Sequence, residues 1–314
     1  MKFCLFPIQN NKLWGHYKKQ MSAIWTAEEI DFSNDLKDFE TLEDNRKHVI
    51  KMVLAFFANS DGLVNFNIQK NLLGFEENEI VYTYVFQMFM EQIHNECYSL
   101  LIDNLIVDEE DKTNIFNSLE TNPIIKKISN WGLKYSTDNI DIEWKILVFI
   151  CFEGIMFSGA FAIIYWVKSV CGKGKLFMSG LIKSNELISR DEGMHVDYGI
   201  ELFKYITKNK HISVIDINKI IIEAVNLTFE FNEKVLTIRD EGINKDLMNQ
   251  YTKYVADRII FDLGYDKLYK VTNPFNFMNT IGMVQKTNFH ESRPTEYRKA
   301  NFNNNIKMVI NDDF

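Results

Sequence analysis

Two widely separated segments of the chain, Glu91-Gln92-Ile93-His94 and Glu192-Gly193-Met194-His195, repeat one pattern, Glu-x-x-His. On a helix, residues three apart share a face and lie about 5 Å apart along the axis. A carboxylate and an imidazole so placed can close on one metal ion. Two such pairs on separate helices, completed by a lone carboxylate from each of two more helices, can enclose a pair of metal ions inside a helical bundle. A single Glu-x-x-His is weak evidence, because an i,i+3 contact is also an ordinary surface pair. The flanks change that. Tyr84-Val85-Phe86-Gln87-Met88-Phe89-Met90 runs directly into the first pair, which predicts burial, and buried charges need partners.

The chain is suited to long helices. Its four prolines are Pro7, Pro123, Pro274 and Pro294, so nothing between Pro123 and Pro274 is barred from helix by proline. Apolar periodicity predicts helices over 42–73, 78–107, 108–119, 123–133, 142–170, 184–207, 215–242 and 245–263. The glycines at 172, 174 and 180 predict an irregular link over 171–183. No alternating strand pattern or solenoid-length repeat is present. Ile146 to Val167 is a 22-residue run whose one charge is Glu153, the only such run read as long enough for a membrane span. A mid-span carboxylate is costly in lipid, and a helix apolar all round also suits the centre of a large bundle. The run is therefore read as a buried core helix, and no membrane association is expected.

Composition narrows the function. The formal net charge of −8 argues against a nucleic-acid groove, which needs a basic surface. Cys4, Cys97, Cys151 and Cys171 form no C-x-x-C and suggest no disulfide framework, so a reducing cytoplasm is expected. The N-terminal residues carry no secretory signal pattern.

The lone carboxylates should be single acids on apolar helices. Glu153 fits. Asp61 lies four residues after Phe57, seven after Leu54 and eleven after Ile50, on an apolar stripe. Asp61-Gly62 is also a turn dipeptide, and spacing alone leaves both readings of Asp61 open. The candidate ligands are Asp61, Glu91, His94, Glu153, Glu192 and His195. Four carboxylates and two imidazoles suit iron or manganese better than tetrahedral zinc. This is the ligand pattern already known from ferritin-like di-iron and di-manganese carboxylate bundles. Tyr98 lies seven residues after Glu91 on the same face, about one turn beyond the metal pair. It could be a redox tyrosine or a buried core tyrosine.

Longer stretches carry a family resemblance: WTAEEIDFSND, LAFFANSDGLVN, MEQIHNECYSLLID, FEGIMFSGAFA, SNELISRDEGMH, VADRIIFDLGY, NPFNFM and KTNF. With them the chain closely resembles the small, radical-generating subunit of class I ribonucleotide reductase, of the eukaryotic and large-DNA-virus type. The resemblance implies an all-α, ferritin-like fold and makes the same six residues the metal ligands, Asp61 included. It implies two iron ions per chain, with manganese as the other possibility, and dioxygen as the oxidant that generates a radical on Tyr98. Trp25 would be the relay tryptophan, and Asp191 would hydrogen-bond to both Trp25 and His94. Tyr297 would pass the radical onward, and Phe157 and Phe161 would line an apolar surround for Tyr98. The 171–183 link exceeds the family pattern by a few residues, and the N-terminus starts almost at the core.

The implied organisation is one helical domain over 1–287, its first 41 residues forming an arm with the Trp25 segment, followed by a tail over 288–314. In the tail, Ile306, Met308, Val309, Ile310 and Phe314 stand among polar and acidic residues. Isolated apolar residues there suit anchors for a groove on the large catalytic subunit. The resemblance also implies a homodimer. Four scattered cysteines and no Gly-rich phosphate loop place the nucleotide chemistry on the partner. Two other classes share the fold or the ligands. A stand-alone di-iron oxidase or iron-storage bundle would need neither Trp25 nor Tyr297. A metal-free scaffold would not need six intact ligands.

Overall fold

The structure is a computed structural model that describes residues 4–172, 176–236, 242–275 and 277–278. The chain divides into two units, Met1–Phe277 and Met278–Phe314, and the description below concerns the first. Its described residues form an all-α bundle without a strand. In chain order the helices are α1 (Asn11–Ser22), α2 (Asp35–Glu40), α3 (Asp44–Asn67), α4 (Asn78–Leu105), α5 (Glu109–Phe116), α6 (Ser118–Thr121), α7 (Pro123–Tyr135), α8 (Ile142–Cys151), α9 (Phe157–Cys171), α10 (Ser179–Thr207), α11 (Val214–Val235) and α12 (Lys245–Leu263). Wider π-turns extend α3 over Ile68–Leu72 and join α8 to α9 over Phe152–Met156.

Local signals explain most boundaries. Pro123 opens α7, where its missing N–H costs nothing, and the Asn122 side chain accepts from the backbone of Ile124 and Ile125. The Asp108 and Asn244 side chains cap α5 and α12 in the same way. Gly264, at φ 99°, ends α12 in the left-handed conformation that glycine adopts without strain.

Other boundaries depart from the sequence pattern. The expected helix over 108–119 breaks at Asn117 into α5 and α6. The expected 215–242 helix ends at Val235. The arm contains helices α1 and α2, which the apolar pattern does not reveal because α1 is polar and buries only Leu13 and Gln20. Helix α10 begins at Ser179, inside the predicted 171–183 link. The reason is a cap supplied from another helix. Asp35 of α2 accepts from the backbone N–H of Gly180 (3.0 Å) and Leu181 (2.6 Å), and Asp38 accepts from Met178 (2.8 Å). Carboxylates there satisfy orphan donors and oppose the positive end of the helix dipole.

The α8–π-turn–α9 rod is the centre of the bundle. Its most apolar stretch is 94% buried by protein, which identifies it as a core helix. It is not the only helix of that length and apolarity: Asp44–Leu72 also qualifies, though only 56% of its most apolar stretch is buried. The rod packs against α7, α10, α11 and α12. In its π-turn, Gly154 lets α12 come close: a Cβ there would lie 2.5 Å from Ile259 Cδ1. A π-turn in a helix often marks a functional position, and this one carries Glu153.

Candidate metal centre

Four helical segments aim acids and imidazoles at one point. Asp61 comes from α3, Glu91 and His94 from α4, Glu153 from the π-turn, and Glu192 and His195 from α10; all six are buried. Asp61 lies inside α3, so the turn reading of Asp61-Gly62 does not hold. The helical i,i+3 geometry closes each pair: His94 Nδ1 is 3.2 Å from Glu91 Oε2, and His195 Nδ1 is 3.2 Å from Glu192 Oε2. The pairs also cross, with His94 Nδ1 3.1 Å from Glu192 Oε1 and His195 Nδ1 3.1 Å from Glu91 Oε1.

Ligand atoms fall into two groups, Asp61–Glu91–His94 and Glu91–Glu153–Glu192–His195, each with its atoms within 4.8 Å of one another. Glu91 belongs to both. Two adjacent groups sharing one carboxylate are what a bridged pair of cations requires.

The electrostatics favour the same fit. Both carboxylate oxygens of Asp61 and Oε2 of Glu153 are buried without a hydrogen-bond partner. Burial, reinforced by the neighbouring acids, raises the pKa of Asp61 and Glu153 well above the usual carboxylate range. Burial acts the same way on Glu91, but His195 and His94 outweigh it and hold Glu91 down to about 2. Burial disfavours charge on the imidazoles as well. Against it, Asp191, Glu192 and Glu91 raise His94, and Glu192 and Glu91 bring His195 up to about 9. Without cations, the site must neutralise two acids and charge two histidines. Two divalent cations would balance four carboxylates with both imidazoles neutral, so the donor set fits a two-metal site.

A hydrogen-bonded chain leads away from His94. Asp191 Oδ2 accepts from Trp25 Nε1 at 2.6 Å and lies 3.2 Å from His94 Nε2. The Trp25 and His94 rings stack with centroids 5.9 Å apart. Engaging Nε2 turns Nδ1 of His94 toward the carboxylates, which orients the ligand atom. Sequence reasoning missed Arg190. Its Nε and Nη2 donate to Asp191 Oδ1 at 3.0 and 2.8 Å, and Nη2 also donates to the Ala23 carbonyl at 2.7 Å. It thus ties Asp191 to the segment bearing Trp25, and its place beside Asp191 was the available signal. Gln87, four residues before Glu91, was missed too. Its Nε2 donates to Glu153 Oε1 (2.8 Å) and Glu91 Oε1 (3.3 Å).

Tyr98 is buried beside the cluster, and its hydroxyl has no hydrogen-bond partner. Burial, then the charges of Asp61 and Glu192, push its phenol well above the usual range, so it stays protonated. The ring stacked on it is Phe57, at 4.7 Å and 3°. Phe157 and Phe161 pack against Phe57, which the sequence reading used only to place the α3 stripe. Tyr297 and the 288–314 tail lie outside the described residues.

The family model "Ribonucleotide reductase, small chain" matches residues 2–274. The chain is 43% identical over 300 residues to ribonucleoside-diphosphate reductase subunit M2 of Danio rerio, covering 95% of this chain and 76% of that one. It is also 43% identical to the ribonucleoside-diphosphate reductase small chain of Variola virus, covering 95% and 92%. Among solved structures, the ribonucleotide reductase Rnr4 homodimer of Saccharomyces cerevisiae superposes with a TM-score of 0.76 at 29% identity, covering 90% of each chain.

Proposed function

Because the chain belongs to the ribonucleotide reductase small-chain family, the radical-generating side of the class I enzyme, we propose how its own residues carry out that role. Asp61, Glu91, His94, Glu153, Glu192 and His195 would hold two iron ions, with manganese as the alternative metal, and Glu91 belongs to both groups of candidate ligand atoms. The observation carrying this reading is the convergence of six buried ligands in two groups around Glu91, with oxygens of Asp61 and Glu153 left without protein partners.

When bound, the two ions draw on dioxygen for the power to remove one electron from a nearby phenol. Tyr98 is that phenol. Its electron and proton leave together, because burial disfavours a phenolate, and the reduction of dioxygen takes up both. The Phe57 stack and the Phe157 and Phe161 rings keep water and reductants from the resulting tyrosyl radical. Asp191 orients both His94 and Trp25, which makes Trp25 the first station outward. Tyr297 passes the radical to the large catalytic subunit, where ribonucleoside diphosphates become deoxyribonucleotides.

The domain over 1–287 acts as a homodimer in the cytoplasm, and the 288–314 tail docks the large subunit. The exposed apolar side chains Tyr82, Val85, Phe89 and Leu100 along α4 support a protein-covered face. The test is reconstitution of metal-free protein with ferrous iron and oxygen. We expect about two irons per chain and a tyrosyl signal in electron paramagnetic resonance. One iron or none in folded protein overturns the ligand assignment.

A further inference from the structure

Five of the six ligands come with local or neighbouring support, and Glu153 does not. Glu91 and Glu192 each have a histidine three residues on, whereas the residue three after Glu153 is Met156. Glu153 Oε2 has no hydrogen-bond partner, and His195 Nδ1 stands 4.0 Å from Oε1, beyond hydrogen-bond reach. Among the described residues, the one side chain that donates to Glu153 is Gln87, through Nε2 to Oε1 at 2.8 Å. Gln87 is fully buried on α4, one turn before Glu91, and the same nitrogen reaches Glu91 Oε1 at 3.3 Å. The two acids depend on it unequally. Glu91 is also held by His195 Nδ1 at 3.1 Å and by His94 Nδ1 at 3.2 Å. Packing does not account for a glutamine here. Its own Oε1 is buried without a partner, which is costly, and methionine would fill similar space without that cost.

We propose that Gln87 is a positioning residue for Glu153, and that through Glu153 it sets the affinity of one of the two metal positions, the Glu91–Glu153–Glu192–His195 group. The inference rests on the two-metal reading above. By holding Oε1, the amide stops the carboxylate from turning and leaves Oε2 as the oxygen free for a cation. The Asp61–Glu91–His94 group gains little from Gln87, because the histidines already hold Glu91. An amide suits this task because it donates without adding charge. A lysine at the same place could also hold Glu153, but its positive charge would repel the cation and upset the balance of four carboxylates against two divalent ions. A side chain without a donor would leave Glu153 free to turn, and the ordering of that carboxylate would then be paid on metal binding.

The test titrates the metal-free full chain with manganous ion and follows the free ion by electron paramagnetic resonance, so that binding is read without turnover. The parent chain should bind two ions. Gln87→Met should leave one affinity unchanged and weaken the other about 10–100-fold. Gln87→Asn keeps the amide but draws it back by one carbon, and should weaken the same position; it serves as the second variant should Gln87→Met fail to fold, which circular dichroism of each metal-free protein checks. A double-mutant cycle separates positioning from packing. In a Glu153→Ala background the weaker position is already impaired, and adding Gln87→Met should change neither affinity further. An unchanged isotherm in Gln87→Met and Gln87→Asn, an equal loss at both positions, or a full further loss in the Glu153→Ala background overturns the assignment of Gln87 alone. Failure of the folded parent chain to bind two ions removes the two-metal reading and this inference together.

Discussion

Tyr98→Phe should make the metal-free protein more stable while abolishing its radical. The ring is almost fully buried and stacks on Phe57 at 4.7 Å, and phenylalanine preserves both features. What disappears is a hydroxyl that is hydrated in the unfolded chain and has no partner in the fold. Burying such a group costs about 1–3 kcal/mol in protein mutational data, so its deletion should raise the unfolding free energy by up to about that amount. Urea unfolding of the metal-free protein measures the difference. Tyr98→Ala is the control: it removes the ring, leaves a cavity, and should cost about 3–5 kcal/mol. In the iron-reconstituted variant the two irons should remain while the stable tyrosyl signal after manual mixing is lost. A residue whose removal stabilises the fold but ends its function is kept for chemistry. Destabilisation of about 1 kcal/mol or more by Tyr98→Phe would show that the phenol has a partner in the fold. A lasting tyrosyl signal would place the radical on another residue.

Asp191→Asn keeps the shape but loses the charge that accepts from Trp25 and Arg190 and orients His94; iron affinity should fall about 10–100-fold, checked by competition with a chelator, and unchanged affinity would remove Asp191 from the ligand-orienting role. The histidines set a pH dependence: His195 is raised from 6.5 to about 9, so its stabilisation of the metal-free fold is complete below pH 6.5 and is lost as pH rises through about 9. Urea midpoints of metal-free protein should therefore fall across that window, whereas iron-loaded protein, with neutral ligated imidazoles, should not follow; a flat metal-free profile would refute the charge assignment. Deleting 311–314 should leave iron content and the Tyr98 signal intact but abolish nucleotide reduction with the large subunit, and full activity would refute the docking role.

The pairs Glu91/His94 and Glu192/His195 and the lone Glu153 were legible in the sequence because they rest on local rules. Helical periodicity places residues three apart on one face, and a single charge in an apolar run must have a partner once buried. The same rules foretold the α8–α9 rod and most of the long helices. Asp61 was different, since a turn dipeptide and a helical stripe predict different structures; spacing left both open, the family resemblance pointed to the ligand, and the fold puts Asp61 inside α3, which packs against α4. Tertiary structure alone put Glu91 in both ligand groups, stacked Phe57 on Tyr98, set Arg190 against both Asp191 and Ala23, and started α10 at Ser179 by a cap from Asp35. Each of these depends on atoms brought together from distant parts of the chain. Periodicity specifies which face of a helix is buried, but the partner met there is set by how the helices pack.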